Sequence, residues 1–479
     1  MVAMRRTVVT GVDIDPYLRA LREELHVPGD FPADVQAEAE RVAATPVTAA
    51  DGRVHATDVA LVTLDPEGSR DLDQAFFLER VAGGIRLHYA IADVAFWVSP
   101  GGAIDAEAHR RGETLYLPDG RAPLHPPVLS EGAASLLPGQ NRPAVLWRID
   151  VDGQGEMTAV QVQRAVVRSR AQLDYASLQT QKPETQGGDV FALLEEFGQL
   201  RQQQEKARGA VSLPVPEQQV SGDGTGWTLA YRAPLPDEDW NAQMSLLTGM
   251  AAAKLMLDAG VGLLRVMPPP DPGTVASLRR SATALAIDWP DGASYADVVR
   301  SLDASKPAHA AFLRLAAVLF RGASYVAFDG SPPASSTHSA VAAPYAHATA
   351  PLRRLADRYV SECCLAICAG QPVPDWVRAA LPALPEEMAE ADRRAHEVDR
   401  AVVDLAEALV LESRCGEVFR GVVVEARQGT GGKGGGEVQL RDPAVRARLD
   451  GGDLPLGQEI DVRLRAVDVT KRRVTFEPA

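Results

Sequence analysis

Leu64-Asp65-Pro66-Glu67-Gly68-Ser69-Arg70-Asp71-Leu72-Asp73-Gln74 is the stretch on which the reading of this chain turns. Pro66 and Gly68 force tight backbone turns. Strand-like runs flank it, Val59–Leu64 before and Ala75–Leu78 after. The stretch therefore reads as an acidic loop between two strands. Converging carboxylates repel one another, and beside an apolar hairpin they need a cation to hold them together. Hard oxygen ligands select Mg²⁺ or Mn²⁺. The alternative is an exposed polar turn with Arg70 as local counter-ion. An EF-hand is excluded, because the ligand spacing is wrong and no glutamate closes the loop.

Outward from the loop, further strand-like runs follow at Ile85–Val94, Ala144–Val151 and Val160–Val167. The period then changes. Phe191–Glu205, Asn241–Asp258, His309–Leu319, Pro351–Cys368 and Glu386–Ser413 read as helices. Strands first and helices after predict one large α+β domain over 46–414, a sheet packed with helices. Before it, Leu18, Leu21 and Leu25, then Val35, Ala39 and Val42, recur at helical spacing on either side of Pro28-Gly29-Asp30. Residues 1–45 therefore form a short helical region, too small for a barrel of its own.

The segment 415–479 differs in charge, with 11 basic and 10 acidic residues in a chain that carries −15 overall. Its runs Val418–Glu425, Glu437–Leu440, Glu459–Val467 and Arg473–Phe476 suit a small OB-type barrel. The Gly429–Gly436 loop lacks the Gly-Lys-Ser/Thr ending of a P-loop and reads as a flexible hairpin. No apolar run reaches the ~18 residues that span a bilayer, so no membrane partner is expected. Four cysteines are too few and too clustered for a disulfide framework, so a cytoplasmic location is expected. Cys363, Cys364 and Cys368 read as buried small residues on one helix. The acidic total argues against general coating of nucleic acid, but says little about one groove.

The loop's D-x5-D-x-D pattern resembles the metal-binding signature of the ribonuclease II (RNB) family of exoribonucleases. Other motifs follow in family order. Ile91-Ala92-Asp93-Val94 is similar to an I-A-D-V strand, and Arg110-Arg111-Gly112 through Tyr116-Leu117-Pro118 to R-R-G-x-x-x-Y-L-P. Leu129-Ser130, Ser135-Leu136 and Arg142 match an L-S…S-L…R segment, and Gly209-Ala210 with Pro216-Glu217 match G-A…P-E. Tyr345–Arg354, with Asp357 after it, resembles Y-x-H-F-T-S-P-I-R-R. The likeness covers roughly 31–414, and Leu456 through Asp468 resembles an S1-type RNA-binding barrel.

The resemblance implies metal-dependent hydrolysis of single-stranded RNA from its 3′ end to 5′-mononucleotides, by a monomer. It implies that Asp65, Asp71 and Asp73 hold Mg²⁺ or Mn²⁺, with Asp73 and Arg353 catalytic. It also implies that Tyr116 and Tyr175 contact the terminal nucleotides, where an aromatic face accepts any base. Pro351 suits a helix start, so a helix N-terminus with Arg353 and Arg354 makes an anion site. Arg463, Arg465 and Arg472 of the barrel, with Lys471 and Arg473, are expected to track phosphates. His347 reads as structural.

The chain departs from the family at Gln74, where an acid is usual, and at Ala90, Asn241 and Ala350. The family serine at 350 would cap the helix, a role left to Thr349. The family's late active-site glutamate corresponds to Asp399. Two other readings stay open: a catalytically weakened or inactive RNB-family RNA-binding protein, and a metal-dependent phosphatase or DNA nuclease built on the same loop.

Overall fold

The computed structural model describes residues 7–9, 14–48, 52–175, 188–213, 216–222, 227–232, 235–427 and 434–479. Most of the Gly429–Gly436 loop lies outside them. At the centre is a five-stranded sheet. Its order is Val54–Ala56, Met157–Arg168, Asn141–Asp152, Gly84–Ala92 and Gln74–Val81. All neighbours are antiparallel except the first pair. The expected strands at 75–78, 85–94, 144–151 and 160–167 are there, each longer or shifted by a few residues. The expected run Val59–Leu64 contracts to Thr63–Asp65, which pairs in parallel with Gln172–Asp174.

Period-two alternation divides the sheet between two cores. Phe76, Leu78, Leu87, Tyr89, Ile91, Val145 and Trp147 face one of them. The helices Pro236–Ala259 and Leu355–Cys368 cover that face. Ala75, Ala90, Ala92, Ala144 and Ala165 face the other. These small residues let the backbone of Ala33–Ala43, Val94–Trp97 and the turns near Leu129 approach closely. The N-terminal region supplies two helices, Asp15–Glu24 and Ala33–Ala43, as its apolar spacing predicts. The long helix Leu384–Leu411 buries Val398, Val402 and Leu405 against Leu18 and Leu21 of the first of these.

The segment after the long helix closes into a five-stranded barrel: Val418–Arg427, Gly435–Leu440, Arg446–Asp450, Arg473–Pro478 and Glu459–Asp468. This is the OB-type topology expected, with Arg446–Asp450 as a strand the sequence pattern left out.

One helix starts later than expected. Residues 351–353 form a turn, Arg354 is extended, and the helix runs only from Leu355 to Cys368. Proline's preference for a first helical turn yields here to a local lock. Asp357 accepts the backbone N–H of Ala350 at 2.8 Å and both arms of the Arg354 guanidinium at 2.6 and 2.9 Å. Thr349 is therefore not the N-cap, which is Arg354, and Arg353 directly precedes that cap at the helix start.

Candidate active site

The acidic loop is braced from beneath. Ser135 Oγ donates to the carbonyl of Arg70 at 2.6 Å and accepts the N–H of Leu72 at 3.0 Å. Leu136 N–H bonds to Leu72 O, and Arg142 grips the carbonyls of Ser135 and Gly132. The Ser-Leu and Arg pieces of the motif thus do one job, fixing the loop's backbone. Leu72 is fully buried and anchors the loop between Asp71 and Asp73.

Asp73 is 4% exposed and is held at both oxygens. Oδ1 accepts the N–H of Leu352 at 2.7 Å, and Oδ2 lies 3.3 Å from Nε of Arg353. Burial raises its carboxyl to about 8, against the pull of Arg353. Asp65, at the end of its short strand, is raised to about 6, mainly by burial. Its Oδ2 is buried without a hydrogen-bond partner. Two desolvated carboxylates, one with an orphaned oxygen, are the chemistry a hard divalent cation stabilises.

The third aspartate lies close enough to raise the carboxyls of both the others, but its own oxygens are engaged by a hairpin. Asp71 Oδ1 accepts from Arg121 at 2.6 Å, and Oδ2 accepts from the Tyr116 hydroxyl at 3.3 Å. Among the described residues, no three His, Cys, Asp or Glu side chains converge closely enough to hold an ion. Asp65 and Asp73 thus fit a metal, with Asp71 within electrostatic reach of both, although the three carboxylates do not close into a cage among the described residues. Gln74 is not part of the set. Its amide donates to Thr349 O at 2.6 Å and accepts from the Tyr89 hydroxyl at 2.8 Å. It ties the first strand residue to the arginine loop, so it does not stand in for a missing acid at the metal.

Arg353 is half exposed and lines a cleft of about 200 Å³ with Tyr116, Glu113, Arg354 and Asp399. Tyr116 is 48% exposed, an open aromatic face beside the acids. Burial, then the nearby Asp392, raises Glu113 to about 7. Arg354 reaches the cleft wall with its guanidinium committed to Asp357. Tyr175 is half-buried, and Asn241 donates to its hydroxyl at 2.8 Å. Asn241 takes up the position where the family carboxylate is absent. Sequence reasoning missed Arg121 and the roles of Asn241 and Gln74. Arg121 had a signal, since it lies just past the turn that follows the Tyr-Leu-Pro motif.

Other expectations are placed as follows. His347 is partly buried, with Nδ1 2.6 Å from the Tyr325 hydroxyl, and desolvation depresses its basicity strongly. Asp93 of the I-A-D-V strand pairs with Arg53 and Arg164 at 2.7 and 2.6 Å, a structural anchor. Cys363 and Cys364 are buried in the main core, as expected, whereas Cys368 is only half-buried against it. In the barrel, Arg463 and Arg465 are exposed, and Arg465 lies 3.1 Å from Asp450. Arg472 instead makes a two-armed pair with Glu24 at 2.6 and 2.8 Å, tying the barrel to the first helix.

The RNB domain profile matches residues 53–368. The chain belongs to the RNB family. The profile of the RNase II-type exonuclease C-terminal S1 domain matches residues 417–479. Ribonuclease R of Escherichia coli K12 is 27% identical over 98% of this chain and 62% of its own length. The Thermotoga maritima ribonuclease R is 26% identical over 84% of this chain and 59% of its own. The chain thus spans about three fifths of the length of these curated relatives. Mycoplasma genitalium RNase R, solved with ribose-methylated single-stranded RNA, superposes with a TM-score of 0.86 at 19% identity, covering 97% of this chain and 78% of that one. Yeast Ssd1, described as a pseudonuclease, superposes at 0.68 and 15% identity over 89% of this chain and 53% of its own. Both likenesses establish the RNB fold with its appended barrel. Among the described residues, no helix is long and apolar enough to cross a membrane.

Proposed function

We propose that this chain is a metal-dependent 3′→5′ exoribonuclease that hydrolyses single-stranded RNA to 5′-mononucleotides, acting as a cytoplasmic monomer. Its units are a helical region over 1–45, a catalytic domain over 46–414 and an RNA-binding barrel over 415–479. The observation that carries the reading is the juxtaposition of half-buried Asp65 and buried Asp73 with half-exposed Arg353 and the open ring of Tyr116. Asp65 and Asp73 would hold Mg²⁺ or Mn²⁺, with Asp71 as a third ligand when released from Arg121. The bound ion supplies an activated water and relief of charge on the leaving oxygen.

The chain's own residues do the rest. Asp73 positions Arg353, whose free guanidinium face meets the charge that grows on the phosphate. Tyr116 stacks on the terminal base without reading its sequence. Tyr175, steadied by Asn241, offers a second surface on the Asp65 side. Arg354 positions the loop that presents Arg353, and Arg463, Arg465 and Arg472 belong to the barrel's basic surface.

A weakened RNA-binding relative is the second reading, favoured by the engagement of both Asp71 oxygens by Arg121 and Tyr116. The experiment is incubation of 5′-labelled single-stranded RNA and DNA with Mg²⁺, Mn²⁺ or EDTA. Metal-dependent shortening of RNA from the 3′ end to mononucleotides is expected. Binding without shortening would favour the second reading, and activity that survives EDTA would overturn the first.

A further inference from the structure

We infer that Arg121 is a positioning residue that competes with the divalent cation for Asp71 and so sets the metal affinity of the site. This rests on the metal-dependent reading above.

The strands Leu115–Leu117 and Gly120–Ala122 form a tight hairpin in which Tyr116 lies opposite Arg121. Cross-strand partners share a face, and both side chains reach the same carboxylate. Arg121 Nη1 takes Asp71 Oδ1 at 2.6 Å, and the Tyr116 hydroxyl takes Oδ2 at 3.3 Å. Both oxygens of Asp71 are therefore spoken for by one hairpin. Asp65, by contrast, keeps a buried oxygen with no partner.

Arg121 is held from its other side by Glu131, with Nη2 2.8 Å from Oε1 and Nε 3.2 Å from the same atom. This second acid matters. When Asp71 turns toward an ion, Arg121 keeps a carboxylate partner and is not left buried and unpaired. The exchange then costs one charge-assisted hydrogen bond and not a stranded cation. Asp71 is the mobile ligand, Asp65 and Asp73 are the fixed ones, and Arg121 is the competitor. An uncharged residue at 121 would leave Asp71 free to complete the set.

The test is Mn²⁺ binding to the full chain without RNA, read by the loss of the free-ion paramagnetic resonance signal. The proteins are the wild type, Arg121→Gln, Arg121→Lys, Asp71→Asn, Asp71→Asn with Arg121→Gln, and Asp65→Asn. Arg121→Gln should bind Mn²⁺ about tenfold more tightly, the equivalent of one charge-assisted hydrogen bond. With Asp71→Asn in place, the same substitution should change the affinity less than about twofold, since the competition has no object. Equal tightening in both backgrounds would mean general charge removal and would overturn the inference. So would unchanged or weaker binding by Arg121→Gln with a native melting profile. Should that variant melt early, Arg121→Lys decides, because it keeps the charge but loses the fork that spans Asp71 and Glu131. It should bind Mn²⁺ more tightly than the wild type, and equal binding overturns the inference. If wild-type Mn²⁺ binding is absent, or survives Asp65→Asn, the metal-dependent reading falls and takes this inference with it. Wild-type binding that needs Asp65 but ignores Arg121 leaves that reading standing and removes only the inference.

Discussion

Nε of Arg353 lies 3.3 Å from Oδ2 of Asp73, while the backbone N–H beside it, that of Leu352, holds Oδ1 of the same carboxylate. The arginine loop and the acidic loop are therefore joined through one buried side chain. Asp73→Asn keeps the volume and removes the charge from this junction. Mononucleotide release should fall by about two to three orders of magnitude, the scale seen when one preorganised electrostatic contact is lost. RNA affinity in EDTA should change little, because Tyr116 and the barrel surface are untouched. Turnover near the wild-type rate would remove Asp73 from the chemistry.

Gln74 gives a prediction of the opposite kind. Its amide nitrogen donates to Thr349 O and its oxygen accepts from Tyr89. Gln74→Glu restores an acid of the same length. It sets a carboxylate oxygen against a carbonyl that then has no donor. The variant should lose roughly 1–3 kcal/mol of stability, the range for a buried polar group left unsatisfied. Its metal requirement should not fall. Urea melts and a metal titration on one labelled RNA check both halves.

These two residues show what the sequence could and could not convey. Asp65 and Asp73 were legible because a loop between two strands confines them. Arg353 was legible because its motif surrounds it. The role of Gln74 was not legible because its neighbours in space, Tyr89 and Thr349, lie on a different strand and a distant loop. Arg121 owes its place to hairpin register, which a spacing pattern does not express. The late start of the Leu355–Cys368 helix had a similar cause. Proline's local preference lost to a tertiary lock through Asp357. The barrel was legible because strand alternation is local information.

Glu407 offers a pH test away from the active site. It is 4% exposed on the long helix. Its Oε1 accepts from the Arg446 backbone N–H and the Gln218 amide, both at 2.6 Å. Burial raises its carboxyl from an ordinary 4.5 to about 7. The folded chain therefore holds this proton more tightly than the unfolded one. The resulting stability is fully present below about pH 4.5 and is lost as pH rises through about 7. Glu407→Gln keeps an oxygen where both donors point and cannot ionise. It should be more stable than the wild type at pH 8, by on the order of 3 kcal/mol at most. The two proteins should converge near pH 4.5. Denaturant melts across pH 4.5–8 measure this, and parallel curves would show that Glu407 does not titrate in the window.

The barrel arginines are distinguished by what already holds them. Arg463 is exposed on the strand Glu459–Asp468, with one donor to the Gly416 carbonyl at 3.0 Å and the rest of its fork facing water. Arg465 shares its charge with Asp450. Arg472 is occupied at both arms by Glu24. Phosphate contacts release counterions, and each contributes about 0.7 to the salt slope on a single strand. Arg463→Ala should therefore reduce the slope of log affinity against log salt by about that amount. Arg465→Ala should reduce it less, because part of its charge is already neutralised. Arg472→Ala should leave the slope unchanged and lower stability only slightly, since exposed pairs contribute about 0–1 kcal/mol. RNA binding from about 50 to 300 mM salt, over which the Debye length falls from roughly 14 to 6 Å, separates the three. A loss of slope in Arg472→Ala equal to that in Arg463→Ala would mean that RNA displaces Glu24. The contact between barrel and first helix would then open when substrate binds.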